Sequence, residues 1–139
     1  MNIAFFLLPK LEMTYLKLSF TLRQTLEKME YHRFTAVPIL SDEGNYIGTI
    51  TEGDLLWFFK NNAGLSMENA HHHTLAEVTP RIRIETVHID SNMEDLIQLV
   101  KQQNFVPVVD DYDKFIGIVR RSDIIEYCAS KIFTKVAYG

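Results

Sequence analysis

Cysteine is nearly absent from this chain: Cys128 is the sole thiol among 139 residues. An internal disulfide is therefore excluded, and a reducing compartment such as the cytoplasm is expected. Cys128 itself reads as a buried helix residue rather than a nucleophile. Long apolar runs are also lacking. The N-terminal run Ile3–Leu8 has no basic residues before it and no small-residue cleavage site after it. It is too short for a signal peptide, or for the roughly 20 residues of a membrane span, and reads as an N-terminal strand or arm packed on the rest. Basic excess is missing too: 14 Lys and Arg against 18 Asp and Glu leave a net charge of −4. With no basic face, nucleic acid is not an expected partner. Nor does a catalytic set stand out, because the five histidines and 18 carboxylates show no nucleophile–base or metal-ligand spacing. His71, His72 and His73 would point different ways on a helix or a strand, which suits a surface linker better than a metal site. No enzymatic activity and no metal are expected.

What the chain does have is a stretch written twice. Val37–Leu56 reads VPILSDEGNYIGTITEGDLL and Val106–Ile125 reads VPVVDDYDKFIGIVRRSDII. Pro38 and Pro107, Gly48 and Gly117, and Asp54 and Asp123 all stand 69 residues apart, with no gap. Six of the 18 positions from Val37 to Asp54 are identical in the second copy, where average usage would give roughly one. Such a repeat dictates the fold. In each copy an apolar run, five turn-type residues and a second apolar run predict a β-hairpin. A polar tetrad follows, TEGD or RRSD, and then a helix-period run. The tetrad thus falls at a helix N-terminus, where unpaired N–H groups and the helix dipole favour anions.

Taken in order, Met13–Phe20 predicts a short strand. Leu22, Leu26, Met29 and Phe34 mark one face of a helix opened by a Thr21/Gln24 capping box. Phe34–Leu40 and Tyr46–Ile50 form the hairpin, and Leu55–Asn61 the second helix. The connector carries a possible helical turn over Ser66–Ala70 and a second capping-box pattern, Thr74/Glu77. Pro80 opens the second unit: a strand over Arg81–Ile89, a helix over Met93–Val100, strands Phe105–Val109 and Phe115–Val119, and a helix over Ile124–Val136. Residues 1–62 would be the first motif with its arm, 63–79 the connector and 80–139 the second motif. The class is α+β (α/β), two β-α-β-β-α repeats. A single unit is too small to bury a good core, so the two are expected to pack around a pseudo-two-fold axis with equivalent clefts.

Certain repeated polar positions exceed what a bare fold needs. Gly48 and Gly117 lie inside strands, marking either a bulge or packing, or the close approach of backbone or ligand. Thr51 and Asp54 match a helix cap. In the second copy Arg120 takes the cap position and Arg121 follows, placing positive charge against a helix N-terminus. Solvated charges are one account. A ribose held by aspartate and a phosphate held by arginine is the other, and it explains more. Thr35 and Asn104, three before each proline, are polar on otherwise apolar approaches to the strands.

On these residues, HRFTAVPILSDEGNYIGTITEGD and QNFVPVVDDYDKFIGIVRRSD, the chain resembles a tandem pair of cystathionine-beta-synthase (CBS) domains, a Bateman module. The resemblance covers nearly the whole chain and implies regulatory, non-catalytic binding of an adenine nucleoside or nucleotide (AMP, ADP, ATP, S-adenosylmethionine or cyclic di-AMP) in clefts between the two motifs. Position by position it implies that Asp54 and Asp123 hold ribose hydroxyls and that Thr51 reaches ribose or phosphate. Thr35 and Asn104, with the backbone of Val37 and Val106, would line the opposing walls. Arg120 stands where the family has threonine, so the two clefts are expected to differ. The resemblance also implies a flat homodimer, an unidentified regulated protein, and no cofactor beyond the nucleotide ligand. The rival reading is a structural or dimerisation module whose clefts are filled by Phe20, Phe34, Phe105 and Phe115.

Overall fold

In the computed structural model, which describes residues 2–79 and 84–138, each copy of the repeat folds as its apolar periodicity dictates. In chain order the elements are β1 (Leu7–Pro9), β2 (Leu16–Lys17), α1 (Leu22–His32), β3 (Ala36–Leu40), β4 (Tyr46–Thr51), α2 (Glu52–Asn61), β5 (Val87–His88), α3 (Met93–Val100), β6 (Phe105–Val109), β7 (Phe115–Arg120) and α4 (Arg121–Tyr138). The β-α-β-β-α order is thus realised twice. The chain divides into two compact units, Thr14–Arg83 in one and Met1–Met13 with Ile84–Gly139 in the other.

Within the Thr14–Arg83 unit the sheet order is β2-β3-β4; in the other it is β1-β7-β6-β5. The two hairpins share one register. Val37 faces Ile50 and Val106 faces Val119, and each ladder slips once, between Ile39 and Leu40 and between Val108 and Val109. Even the turns agree. Ser41 N–H donates to Asn45 O and Asp110 N–H to Lys114 O, both at 2.9 Å. The left-handed position falls on Gly44 (φ 87°) in one copy and on Asp113 (φ 60°) in the other, aspartate being among the few side chains that tolerate it.

Each unit has its own core. Leu16, Leu22, Ile50 and Leu75 are fully buried in the first, and Ile3, Leu96, Val106 and Val119 in the second. Each such side chain contributes about 2 kcal/mol from burial. The four aromatics of the rival reading sit inside these units: Phe20 and Phe34 pack on the first core, and Phe105 and Phe115 are buried in the second.

Several expectations are corrected. The strand expected over Met13–Phe20 is only Leu16–Lys17, because pairing to β3 reaches no further than Ile39 and Leu40. β3 starts at Ala36 rather than Phe34, since α1 ends on a left-handed Arg33 (φ 57°) and the chain must turn before it extends. Of the strand expected over Arg81–Ile89, Val87–His88 is observed, and Arg81–Arg83 lie outside the described residues. Both helices after the hairpins begin three residues earlier than their apolar runs, at Glu52 and Arg121. Over Ser66–Ala70 a single hydrogen-bonded turn forms, Asn69 N–H donating to Ser66 O at 3.3 Å, and it leads into short 3-10 turns at Ala70–His72 and Leu75–Glu77. The histidine run lies on a surface connector that is anchored on both sides. His71 and His72 are exposed, but Ala70 and Leu75 on either side are fully buried, and Leu22 N–H donates to His73 O. The arm pairs with β7 and so joins the second unit, not the first. Cys128 is exposed, because it falls on the outward side of α4.

Candidate functional site

The strand-to-helix junctions are built from the same backbone bonds in both units. Glu52 N–H donates to Thr35 O at 3.0 Å, and Arg121 N–H donates to Asn104 O at 2.8 Å. Thr35 and Asn104 therefore pin the start of the helix through their carbonyls, while their residues remain exposed. Val37 and Val106 bury their side chains in the cores. β2 and β5 pair only with the far ends of β3 and β6. On that side, among the described residues, no strand covers the backbone at Val37 or Val106.

At the junction itself the copies diverge. Thr51 caps α2: its hydroxyl accepts from Asp54 N–H at 3.1 Å, and Asp54 Oδ2 accepts from Thr51 N–H at 2.9 Å. This reciprocal box buries Asp54 to 4% exposure, and its negative charge sits at the favourable end of the helix dipole. In the second unit Arg120 cannot cap. Its Nε instead donates to Asp123 Oδ2 at 2.8 Å, and the pair stays open to solvent, with side-chain exposures of 50% and 30%. Arg121 plays a different part from the one expected of it. Its Nε donates to Val100 O at 2.7 Å, so the cation sits at the C-terminal end of α3, where the dipole favours it. Of the two arginines, Arg120 is the one at the junction facing Asp123.

Gly117 also has a structural explanation. A Cβ there would lie 2.2 Å from Leu8 O of the arm, and φ is 154°. The approaching group is backbone from β1, which pairs Pro9 with Gly117.

Sequence reasoning missed what the arm brings. Phe5, Phe6, Leu7 and Leu8 line a cavity of about 240 Å³ together with Arg120 and Asp123. The apolar run Ile3–Leu8 signalled packing, but nothing local identified its partner. In the first unit a larger groove of about 900 Å³ runs between α1 and α2, over Leu26, Met29, Leu55, Leu56 and Phe59.

One group of side chains has metal-ligand proximity among the described residues: His88, Asp90 and Asp111, whose ligand atoms lie within 4.8 Å of one another. The imidazole is already engaged. Nδ1 stands 3.0 Å from Asp90 N–H, and Nε2 2.7 Å from Asp111 Oδ1. The first unit places Lys17 and Asp42 at the corresponding strand and turn, 3.6 Å apart. A basic–acidic tie between first strand and hairpin turn accounts for both pairs. Among the described residues, two ionisable groups are clearly shifted. Burial raises Tyr46 above the usual phenol value, against a bond to Thr49. Bonds from His73 and from Thr74 N–H hold Glu77 below the usual carboxylate range. Neither lies at the junctions.

The comparisons with known proteins agree with this architecture. The CBS domain model matches residues 9–61 and 75–130, and the chain belongs to the CBS domain family. It is 27% identical over 128 residues to the magnesium and cobalt efflux protein CorC of Buchnera aphidicola subsp. Acyrthosiphon pisum, covering 91% of this chain and 41% of that protein. The chain thus spans about two fifths of the length of that relative. A crystal structure of CbpB in complex with c-di-AMP superposes with a TM-score of 0.86 at 18% identity, covering 100% of this chain and 91% of the other. CBSX2 in complex with AMP gives 0.73 at 23% identity, covering 93% and 96%. No helix among the described residues is long and apolar enough to cross a membrane.

Proposed function

We propose that this CBS-domain protein is a non-catalytic regulatory module that binds an adenine nucleotide at its strand-to-helix junctions and signals by a change of conformation. The Arg120–Asp123 pair carries the proposal. A carboxylate able to accept two diol hydroxyls and a guanidinium able to fork onto a phosphate stand 2.8 Å apart, half-exposed, at a helix N-terminus. Exposed ion pairs contribute little to stability, so this one is free to exchange its partners for a ligand's. The similar structures of CbpB and CBSX2 hold c-di-AMP and AMP respectively, which supports an adenine base.

In the first unit Thr51 and Asp54 are engaged with each other. A ligand there would add to the capping box rather than open it, with the Thr35 and Val37 backbone as its wall. Asn104 and Val106 take that place in the second unit. The two sites are therefore unequal, and Asp123 is the residue to mutate. Asp54→Ala would remove a buried cap and confound binding with stability. Calorimetric titration of AMP, ADP, ATP, S-adenosylmethionine and c-di-AMP tests the proposal. At least one should bind, and Asp123→Ala should weaken it at least tenfold without lowering the melting temperature. A folded protein that binds none of them is instead a structural or dimerisation module.

Leu56 and Ile125 stand 69 residues apart on the repeat and are 61% and 58% exposed. An equivalent apolar position left uncovered on both closing helices suits pairing with a second copy. Leu56→Glu with Ile125→Glu should convert a dimer to a monomer in sedimentation velocity. A wild-type monomer would end that part of the proposal. The regulated protein acts downstream of this module, within the cytoplasm.

A further inference from the structure

The cavity of about 240 Å³ beside Arg120 and Asp123 takes four of its six lining residues from the arm. The arm is firmly held. Ile3 and Phe6 are 0% and 7% exposed in the second core, and Leu7, Leu8 and Pro9 pair with Val119, Ile118 and Gly117. Phe5 is different. It is 69% exposed, yet its ring is steadied edge-on by Phe6 at 5.1 Å and by Tyr127 at 6.4 Å. The fold gains little from burying Phe5, and the ring stands at the lip of a cavity that also holds a carboxylate and a guanidinium.

We infer that Phe5 is the base-stacking residue of the second unit's site, so that the N-terminal arm forms part of the binding site. The inference rests on the nucleotide-binding proposal above and deepens it. Three chemistries converge on one cavity: an aromatic face for a planar base, Asp123 for a diol, and Arg120 for a phosphate. Together they describe a nucleoside phosphate. The cavity is smaller than a typical whole-ligand pocket of roughly 300–1,000 Å³, which fits a ligand whose phosphate stays at the half-exposed Arg120. Among the described residues the first unit has no such wall, since its sheet ends at β4.

The test compares AMP with ribose 5-phosphate by calorimetry on the full chain. Stacking on an aromatic is worth about 1–3 kcal/mol per base, so Phe5→Ala should weaken AMP roughly tenfold while leaving ribose 5-phosphate unchanged. Phe5→Trp should retain AMP affinity. Because Phe5 is exposed, the melting temperature of Phe5→Ala should match wild type. If wild type binds AMP and Phe5→Ala binds it equally well, Phe5 has no such role and the nucleotide proposal stands. A loss of AMP and ribose 5-phosphate in equal measure would show that Phe5 only props the arm, and would also overturn the inference. If wild type binds none of the adenine nucleotides, the parent proposal fails and the inference fails with it.

Discussion

Thr51 and Arg120 occupy the same place in the repeat and meet a helix N-terminus in opposite ways. The threonine closes a capping box with Asp54; the arginine reaches over the turn to Asp123. Thr51→Ala should therefore cost about 1 kcal/mol of stability, read as a lower urea midpoint with an unchanged slope. An unchanged midpoint would mean that Asp54 is held by something other than the box. The sequence pattern made Thr51, Asp54 and the Thr21/Gln24 and Thr74/Glu77 boxes legible, because capping is local. Arg121 was not legible, as its partner Val100 lies 21 residues away. Glu77 adds a dependence on pH. Its bonds to His73 and Thr74 N–H lower its pKa from the ordinary 4.5, so its contribution is full above that value and is lost as pH falls through the lowered one. Glu77→Gln should flatten this acid limb in pH-dependent melting curves. An unchanged limb would assign it to other carboxylates.

At the scale of elements, the hairpins followed from the sequence almost residue for residue, because register is set by alternation and turn chemistry. The first strand of each unit did not. β2 and β5 are short parallel additions whose ends are fixed by contact with β3 and β6, a non-local condition. The arm is the clearest case. Its apolarity announced burial, but its position on β7 depends on Gly117, where a side chain would strike Leu8 O. Gly117→Ala should therefore be strongly destabilising, since the clash is with backbone and the φ is unfavourable as well. Gly53→Ala is the control: its Cβ would meet nothing nearer than 3.8 Å. Inside α2 that change should stabilise by up to about 1 kcal/mol. Equal effects of the two substitutions in chemical denaturation would contradict the close-approach account.

For the whole molecule, a duplicated 69-residue spacing yields two units with separate cores, each presenting the same junction with different side chains. The sequence disclosed the duplication and the substitution of arginine for threonine. The cavity that Arg120 and Asp123 share with the arm became visible only in three dimensions, because Phe5 and Asp123 stand near opposite ends of the chain. The fold is shared with CbpB and CBSX2, and the proposed sensing role rests on the chemistry at Arg120 and Asp123. The most direct test of the central claim is calorimetric titration of wild type and Asp123→Ala with the adenine-nucleotide panel. Saturable heat from at least one member, weakened at least tenfold in a variant that melts like wild type, is the predicted result. A well-folded wild type giving no binding heat with any of them, or full affinity in Asp123→Ala, would contradict it.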